Sequence, residues 1–165
     1  MFGLTSLVLG TATPVGAGSE SAKEEVRVIA SFTDLPREVQ NAVSRFLANV
    51  DILEIEEAHA HKVTEFKVAY LRDKRLHELV WDATTNKLLG GSDPEVLKEV
   101  LAHLPQPARQ AVLDRQGKDV ISKLKIKHAD FDDHEYIHVH FLNTDNGRKT
   151  DAKIEMNGSP VSKKS

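Results

Sequence analysis

The segment LPREVQNAV (residues 35–43) decides the fold, because it returns as LPQPARQAV (residues 104–112) in a chain of 165 residues. Both copies begin with Leu-Pro, and apolar residues then follow at the spacing of one helical face. Proline is tolerated in the first turn of a helix, where its missing N–H has no intrahelical partner. The pattern therefore predicts two amphipathic helices at equivalent positions of two related units.

Each of these helical segments is followed by short runs in which apolar and polar residues alternate, the pattern of strands with one buried face. In the first copy Phe66, Val68 and Tyr70 alternate with the positions between them, and residues 76–82 alternate with Leu79 and Trp81 on one face. In the second copy residues 137–141 and 154–156 show the matching pattern. We therefore expect an α+β fold of two tandem α-β-β-β repeats, each with its helix packed on one face of an antiparallel sheet.

Four regions are expected along the chain. They are a signal-like or disordered N-terminus at residues 1–22, a first repeat at 23–91, a second repeat at 92–162 and a tail at 163–165. Gly90-Gly91 marks the joint between the repeats. Val26–Ala30 is expected to add an edge strand to the first sheet or to pair across to the second. The second helix is expected to be shorter and less buried than the first, because Pro107 and Arg109 interrupt its start.

The composition is that of an ordinary globular chain, with 40% hydrophobic and 28% charged residues. A formal net charge of −3 gives no electrostatic argument for nucleic-acid binding. The chain has no cysteine, which excludes disulfides, thiolate zinc sites and cysteine nucleophiles. The remaining classes are binding modules, structural proteins and enzymes that use other nucleophiles.

The first part of the chain resembles an export signal. Residues 1–18 carry no charge, and Val15-Gly16-Ala17 has the small-residue pattern that a signal peptidase accepts. The positively charged start of such a signal is missing, which a start site placed too far downstream would explain. Pro14 and several glycines make the segment a poor membrane span. The segment predicts a periplasmic or secreted protein with no membrane span in the mature chain; the alternative is a disordered tail.

A helix that opens with Leu-Pro-x-x-Val, followed by three strands and a closing Asp-x-x-x-x-Lys-Leu-Leu turn, resembles the PepSY-like domain family. That family is related in fold to the β-lactamase-inhibitor-like repeats of exported bacterial proteins. The resemblance covers residues 26–89 well and residues 104–161 loosely. The matching residues are Leu35, Pro36, Val39, Ala42, Val43, Glu54, Ile55, Glu56, Phe66, Val68, Tyr70, Trp81, Asp82, Lys87, Leu88 and Leu89. Asn86 stands where the family usually has glycine, and asparagine tolerates the same left-handed backbone.

The resemblance implies an exported domain with no known catalytic residues. Such domains are thought to bind or inhibit other proteins, including peptidases, outside the cytoplasm. The shared motif is a packing motif, so no functional residue is carried over from the family to this chain.

Histidine is the residue type that invites a chemical hypothesis. His59 and His61, and likewise His138 and His140, are i, i+2 pairs whose side chains share one face of a strand. Imidazoles suit Zn²⁺ or Cu²⁺, with carboxylates such as those of residues 130–135 completing the shell. The four histidines are therefore the candidate metal ligands. The alternatives are a solvated surface on which histidine is tolerated, and a pH-responsive surface.

Signatures of catalysis are missing from the sequence. It contains no Gly-x-Ser-x-Gly, no Gly-rich phosphate loop and no His-Glu-x-x-His. Glu54, Glu56 and Glu57 are expected to form the solvent-facing side of a strand rather than a catalytic pair. The chain is therefore predicted to be a non-catalytic, exported module without a cofactor. We expect it to bind or inhibit a protein or peptide through the helix-free sheet face or the groove between the repeats. The alternatives are a periplasmic metal-binding protein and a structural envelope-associated protein.

Overall fold

The computed structural model describes residues 25–60, 62–129 and 134–162. The predicted signal sequence and tail lie outside the described residues, as do His61 and the acidic run at 130–133. The elements are β1 (Glu25–Ile29), a 3-10 turn (Phe32–Asp34), α1 (Arg37–Val43), β2 (Asp51–Ala60), β3 (Val63–Arg72), β4 (Arg75–Asp82), β5 (Lys87–Gly91), α2 (Pro94–His103), α3 (Gln106–Gln116), β6 (Val120–His128), β7 (Glu135–Leu142) and β8 (Lys149–Glu155).

The strands of the described residues form one eight-stranded sheet in chain order, and all neighbours are antiparallel. The prediction of two separate helix-plus-sheet repeats is therefore wrong, although α and β elements are combined as expected. The two halves are joined where β5 pairs with β6, through Gly90 opposite Lys125 and Gly91 opposite Leu124. We call this junction the seam. Separate sheets would leave β5 and β6 as unpaired edges, and the seam satisfies the backbone groups of both.

Helix α3 has 11 residues and α1 has 7, so the prediction that the second helix is the shorter one is wrong. Pro107 lies in the first turn of α3, where a missing N–H costs no hydrogen bond. Ala108 and Val112 of α3 are fully buried, so α3 and α1 each bury two residues. None of the helices in the described part of the chain has the length and apolar content that a membrane crossing requires.

The core lies between the three helices and one face of the sheet. Each helix contributes residues at helical spacing: Val39 and Val43 from α1, Val96 and Val100 from α2, Ala108 and Val112 from α3. These side chains belong to a single cluster with alternate strand residues, among them Phe66, Val68, Tyr70, Leu79, Leu124, Ile137, Val139, Phe141, Ala152 and Ile154. The apolar faces predicted at residues 66–70 and 137–141 are therefore the buried face, and one core serves both halves of the chain.

Strand β2 differs from its prediction at one position. Glu57 shares a face with the core residue Ile55 and is buried, whereas Glu54 is exposed and Glu56 half-buried. The Glu57 carboxylate accepts hydrogen bonds from Arg27 on the neighbouring strand β1, with an Nε–Oε2 distance of 3.0 Å. A buried carboxylate requires such a partner. The prediction that Glu57 faces solvent is therefore wrong. Its partner Arg27 lies on another strand, 30 residues away in the sequence, so the local pattern gives no sign of the pairing.

Candidate binding cleft

An open cavity of about 430 Å³ lies where the two halves of the chain meet. Its walls come from the β4–β5 turn, from α2 with the corner that joins it to α3, and from strands of the second half. The lining residues are Arg45, Trp81, Asn86, Lys87, Leu88, Leu89, Glu99, Val100, His103, Leu104, Pro105, Ile126, Glu135 and Met156. We call this cavity the cleft. Its lining is mainly apolar, as in most ligand sites of proteins.

The turn that forms one wall of the cleft is held by Asp82, which is buried. Its Oδ1 accepts hydrogen bonds from the backbone N–H groups of Thr84 and Thr85, at 2.8 and 3.2 Å. Its Oδ2 accepts from the Thr85 hydroxyl at 2.5 Å. Asn86 then adopts a left-handed backbone with φ of 56°, which asparagine tolerates better than most residues. The turn is thus rigidly built, and it presents Asn86 and Lys87 to the cleft.

The opposite wall is the corner between α2 and α3. Helix α2 ends at Leu104, whose N–H donates to the Val100 carbonyl at 3.2 Å. Pro105 follows as the N-cap of α3, and its extended ψ of 143° turns the chain sharply. Leu104 is buried, while Pro105 remains exposed at the cleft. The Leu-Pro pair that the sequence repeats therefore serves as a helix start and also shapes this wall.

Trp81 contributes an aromatic ring to the lining of the cleft. The side chain is buried, and its indole Nε1 is inaccessible and has no hydrogen-bond partner among the described residues. Because Nε1 is buried, the indole offers the cleft an apolar surface and no donor. Trp81 therefore adds apolar surface, and no polar group, to the lining of the cleft.

Charged residues surround the cleft in pairs. Arg45 donates to Glu99 at 2.9 Å, and the guanidinium of Arg45 also lies 4.5 Å from the ring centre of Phe46. His103 Nδ1 lies 2.8 Å from the Glu99 carbonyl oxygen and 3.7 Å from its carboxylate. The Glu99 carboxylate is thus shared by two basic side chains. These exposed pairs contribute little to stability, and they leave no strong net charge at this part of the rim.

The predicted metal ligands lie on both faces of the sheet. His138 and His140 lie on the helix-free face with ring centroids 4.4 Å apart, and His138 Nε2 is 3.1 Å from Asp151 Oδ2. His59 lies on the helix-covered side of β2, where its Nε2 is 2.9 Å from Glu57 Oε1. Among the described histidines, His59 therefore lies on the opposite face of the sheet from His138 and His140. Within residues 25–60, 62–129 and 134–162, no three His, Asp or Glu side chains are grouped as a metal site would require.

His140 has a perturbed acidity. Burial lowers the pKa of His140 below the ordinary histidine value of 6.5, and the positive charges of His138, Lys123 and Lys127 lower it further. The carboxylate of Asp151 acts in the opposite direction and does not offset them. His140 is therefore neutral at pH 7.

We expect the ring of His140 to titrate below pH 6.5 in the folded protein. Because the unfolded chain then binds the proton more readily, the contribution of this group to stability is complete above pH 6.5 and is lost as the pH falls below it. NMR of the imidazole ring checks the pKa, and Lys123→Gln should raise it. Chemical unfolding at several pH values should show a smaller loss at acid pH for His140→Asn than for the wild type. A His140 pKa at or above that of an unfolded peptide would contradict the prediction.

Comparison with known proteins gives a fold but no function. No protein-family model matches the sequence, and no curated protein matches it. The structure is similar to the crystal structure of an inferred periplasmic protein of unknown function from Bacteroides vulgatus, with a TM-score of 0.51 and 12% sequence identity. The similarity covers 84% of this chain and 98% of that chain. At this identity the likeness concerns the fold alone, and the resemblance to the PepSY-like family stays a prediction.

Sequence reasoning did not identify the cleft. Lys87, Leu88 and Leu89 stood out only as parts of a packing motif, and His103 in the α2–α3 corner carried no signal. A cavity depends on which elements meet in space, and these lining residues come from segments as far apart as Arg45 and Met156. The available signal was the proposed groove between the repeats, which is where the cleft lies.

Proposed function

We propose that this protein is a non-catalytic binding module of the periplasm, which holds an apolar side chain of a protein or peptide partner in the cleft. The observation that carries the proposal is the cleft itself, an open cavity of about 430 Å³ with mainly apolar lining between the two halves of the chain. Its volume falls within the roughly 300–1,000 Å³ of ordinary ligand sites. Partners commonly insert one large apolar anchor into such a pocket.

The chemistry of the lining supports a protein or peptide partner over a small polar metabolite. Trp81, Leu88 and Val100 provide apolar surface, and the buried indole N–H adds no donor. Asn86 and His103 are exposed at the edge and can hydrogen-bond a peptide backbone. A metabolite rich in hydroxyl or phosphate groups would leave its polar atoms unpaired against this lining, which costs free energy.

The absence of catalysis is part of the same proposal. Glu99 and Glu135 are the described carboxylates at the cleft, and Glu99 is held by Arg45. A general base works when it can reach a substrate proton, and an ion-paired carboxylate at the rim is poorly suited to that role. The location rests on the signal-like residues 1–18 and on the inferred periplasmic location of the Bacteroides vulgatus protein, which has a similar fold.

The test is site-specific photo-crosslinking in the organism that makes the protein. A benzophenone amino acid replaces His103 at the rim of the cleft, and in a second strain it replaces Gln110 on the exposed side of α3. The cells are fractionated, and recovery of the protein in the periplasmic fraction checks the location. We expect a discrete cross-linked species from position 103 and none from position 110.

A matched pair of variants tests whether the cross-linked species forms at the cleft. Met156→Asp introduces a charge into the lining, whereas Leu113→Asp introduces the same charge at an exposed apolar position of α3. We expect Met156→Asp to reduce the cross-linked yield about tenfold or more, the loss of one apolar anchor, and Leu113→Asp to leave it unchanged. A yield that is equal in the two variants, or no species above that of position 110, would refute the proposal.

A further inference from the structure

The two edge strands of the sheet, β1 and β8, differ in how far other described residues cover them. Residues after β8 fold back along it: Pro160 bridges to Ile154, and the N–H of Val161 donates to the Lys153 carbonyl at 3.1 Å. Strand β1 pairs on one side with β2, and no described residue pairs with its other side. The outer backbone N–H and C=O groups of β1 therefore offer a template for another strand.

Strand β1 has only some of the features that usually protect an edge: it is short and carries Glu25 and Arg27. Its sequence EVRVI contains no proline or lysine, and its register with β2 runs without a bulge. Val26 and Val28 lie side by side on the helix-free face and are 53% and 64% exposed. A neighbouring strand with an apolar residue opposite Val26 would cover part of this surface.

The charges of β1 indicate which strand fits. Glu25 and Arg27 are two residues apart and both exposed. In an antiparallel pair with Val26 opposite Val26 of the partner subunit, Glu25 of each chain lies opposite Arg27 of the partner subunit. Opposite charges directly across two strands stabilise the pair, and like charges destabilise it. The strand is therefore complementary to itself in this register.

We propose that two copies of this chain associate edge to edge through β1, antiparallel about a two-fold axis at Val26. The arrangement extends the sheet across both copies, with residues 25–27 of one copy opposite residues 27–25 of the other. It is isologous, so the contact closes on itself and forms a dimer, not a fibre.

Arg27 has donors left for this contact. Its Nε and Nη2 donate to Glu57 Oε2 of its own chain, at 3.0 and 2.5 Å. The guanidinium has five donors, and the Arg27 side chain is 69% exposed. Its remaining N–H groups can meet a second carboxylate. His59 Nε2 lies 2.9 Å from the other oxygen of Glu57, so both oxygens of that carboxylate already have partners within their own chain.

Cysteine scanning tests the register, because the full-length chain has no cysteine of its own. Residues directly opposite in an antiparallel pair have Cβ atoms roughly 4.5–5.5 Å apart, close enough for a disulfide after a small adjustment. The two copies of residue 28 would be displaced by four residues along the strand, about 13 Å. We expect oxidised Val26→Cys to form a covalent dimer, and Val28→Cys to do so at least about tenfold less.

Leu76→Cys is the control for random collision, because Leu76 is 67% exposed and lies three strands away from β1. Equal crosslinking of Val28→Cys or Leu76→Cys with Val26→Cys would overturn the proposal. The same chains under reducing conditions show whether the cysteines themselves alter the fold.

Sedimentation velocity of the wild-type chain tests the association without a crosslink. A strand pairing of residues 25–27 with residues 27–25 buries less than the roughly 1,200 Å² of a standard interface, so we expect monomer and dimer in an equilibrium that shifts with concentration. Val26→Lys places two lysines together at the axis and should weaken the dimer about tenfold or more. Leu76→Lys makes the same change elsewhere and should leave it unchanged.

Charge reversal tests the complementarity. Glu25→Arg places like charges across the axis and should weaken the dimer, whereas Glu38→Arg makes the same reversal on α1 and should not. A chain that is monomeric throughout roughly a hundredfold range of concentration would overturn the proposal. The same conclusion would follow from a dimer that Val26→Lys and Glu25→Arg leave intact, since its interface would then lie elsewhere.

Discussion

Replacement of Gly90 by alanine is expected to lower the free energy of unfolding by about 3 kcal/mol or more, among the largest effects of a single methyl group. A Cβ at this position would overlap the Leu124 carbonyl oxygen and lie 2.7 Å from the Cα of Lys125. Both obstacles are backbone atoms, so no side chain can rotate away. The added methyl group fits only if β5 and β6 separate.

The effect is expected to be large because few backbone pairs hold β5 and β6 together at the seam. The β5–β6 ladder has two residue pairs, and Gly90 is in one of them. The missing side chain also lets lysines of β6 reach across the helix-free face: Lys125 Nζ lies 2.5 Å from Glu65 of β3, and Lys123 pairs with Glu78 of β4. Alanine at position 90 therefore disturbs the backbone pairing and both ion pairs that span the seam.

Gly147→Ala is the matched control. Gly147 has a φ of 71° and open space around it, so alanine there costs only the left-handed backbone, about 1 kcal/mol. Urea unfolding measures both variants, and hydrogen exchange of the Leu124 and Lys125 amides shows whether the loss begins at the seam. If Gly90→Ala costs no more than Gly147→Ala, the close approach of β5 and β6 is not a constraint on this fold.

Much of the local structure could be predicted from the sequence, because periodicity reports burial. Residues 66–70 and 137–141 alternate with a period of two, and their apolar members are all in the core. The helices begin where Leu-Pro pairs predict them. These segments lie between the core and solvent. Their apolar residues therefore occupy the buried face and their polar residues the other face.

The joining of the halves could not be predicted, because the seam has no periodicity. Two glycines followed by Ser92 and Asp93 look like a linker, and they predicted a boundary between repeats. In the structure Gly90 and Gly91 lie inside β5. Their lack of side chains permits close backbone contact, and that contact involves a strand more than 30 residues later in the chain.

The candidate sites show the same limit. His138 and His140 were correctly expected to share a face, because that follows from strand geometry alone. The Asp151 carboxylate that contacts His138 comes from the neighbouring strand and could be identified only once the register was known. The cleft depends in addition on the corner at Pro105, where the chain changes direction between α2 and α3. A local sequence pattern predicts which face of a strand or helix a residue occupies, whereas a site forms where residues from distant segments come together.

Replacement of Asp93 by alanine is expected to lower the free energy of unfolding by about 3–5 kcal/mol, because it removes one partner of a buried ion pair. Asp93 is 1% exposed, and its Oδ2 lies 2.8 Å from Arg72 Nη1. The hydroxyl of Tyr70 donates to the same oxygen at 3.1 Å. Without the carboxylate, the fully buried Tyr70 loses its acceptor, and Arg72, whose side chain is 24% exposed, loses its charged partner.

The same side chain begins a helix. Asp93 is the N-cap of α2, and its Oδ1 accepts from the Glu95 N–H at 2.9 Å. Arg72 also donates to the carbonyl of Phe46, just after α1. One carboxylate therefore links the start of α2 to strand β3 and, through Arg72, to the segment that follows α1. The loss of a cap alone would cost about 1 kcal/mol, so a larger loss must come from the ion pair and the tyrosine.

Three variants separate these contributions. Asp93→Asn keeps a capping oxygen and an acceptor but removes the charge, and we expect a loss between those of the wild type and Asp93→Ala. Tyr70→Phe removes the hydroxyl that donates to Asp93, and a double-mutant cycle with Asp93→Ala isolates this hydrogen bond at about 1–3 kcal/mol. Ser31→Ala is the control: Ser31 caps an exposed turn through a 3.4 Å contact and should cost about 0.5 kcal/mol. Thermal and urea unfolding measure the four single variants, the double variant of the cycle and the wild type. If Asp93→Ala lowers the free energy of unfolding as little as Ser31→Ala does, the ion pair does not hold α2 in place. The apolar contacts of Val96 and Val100 are then sufficient to keep α2 on the sheet.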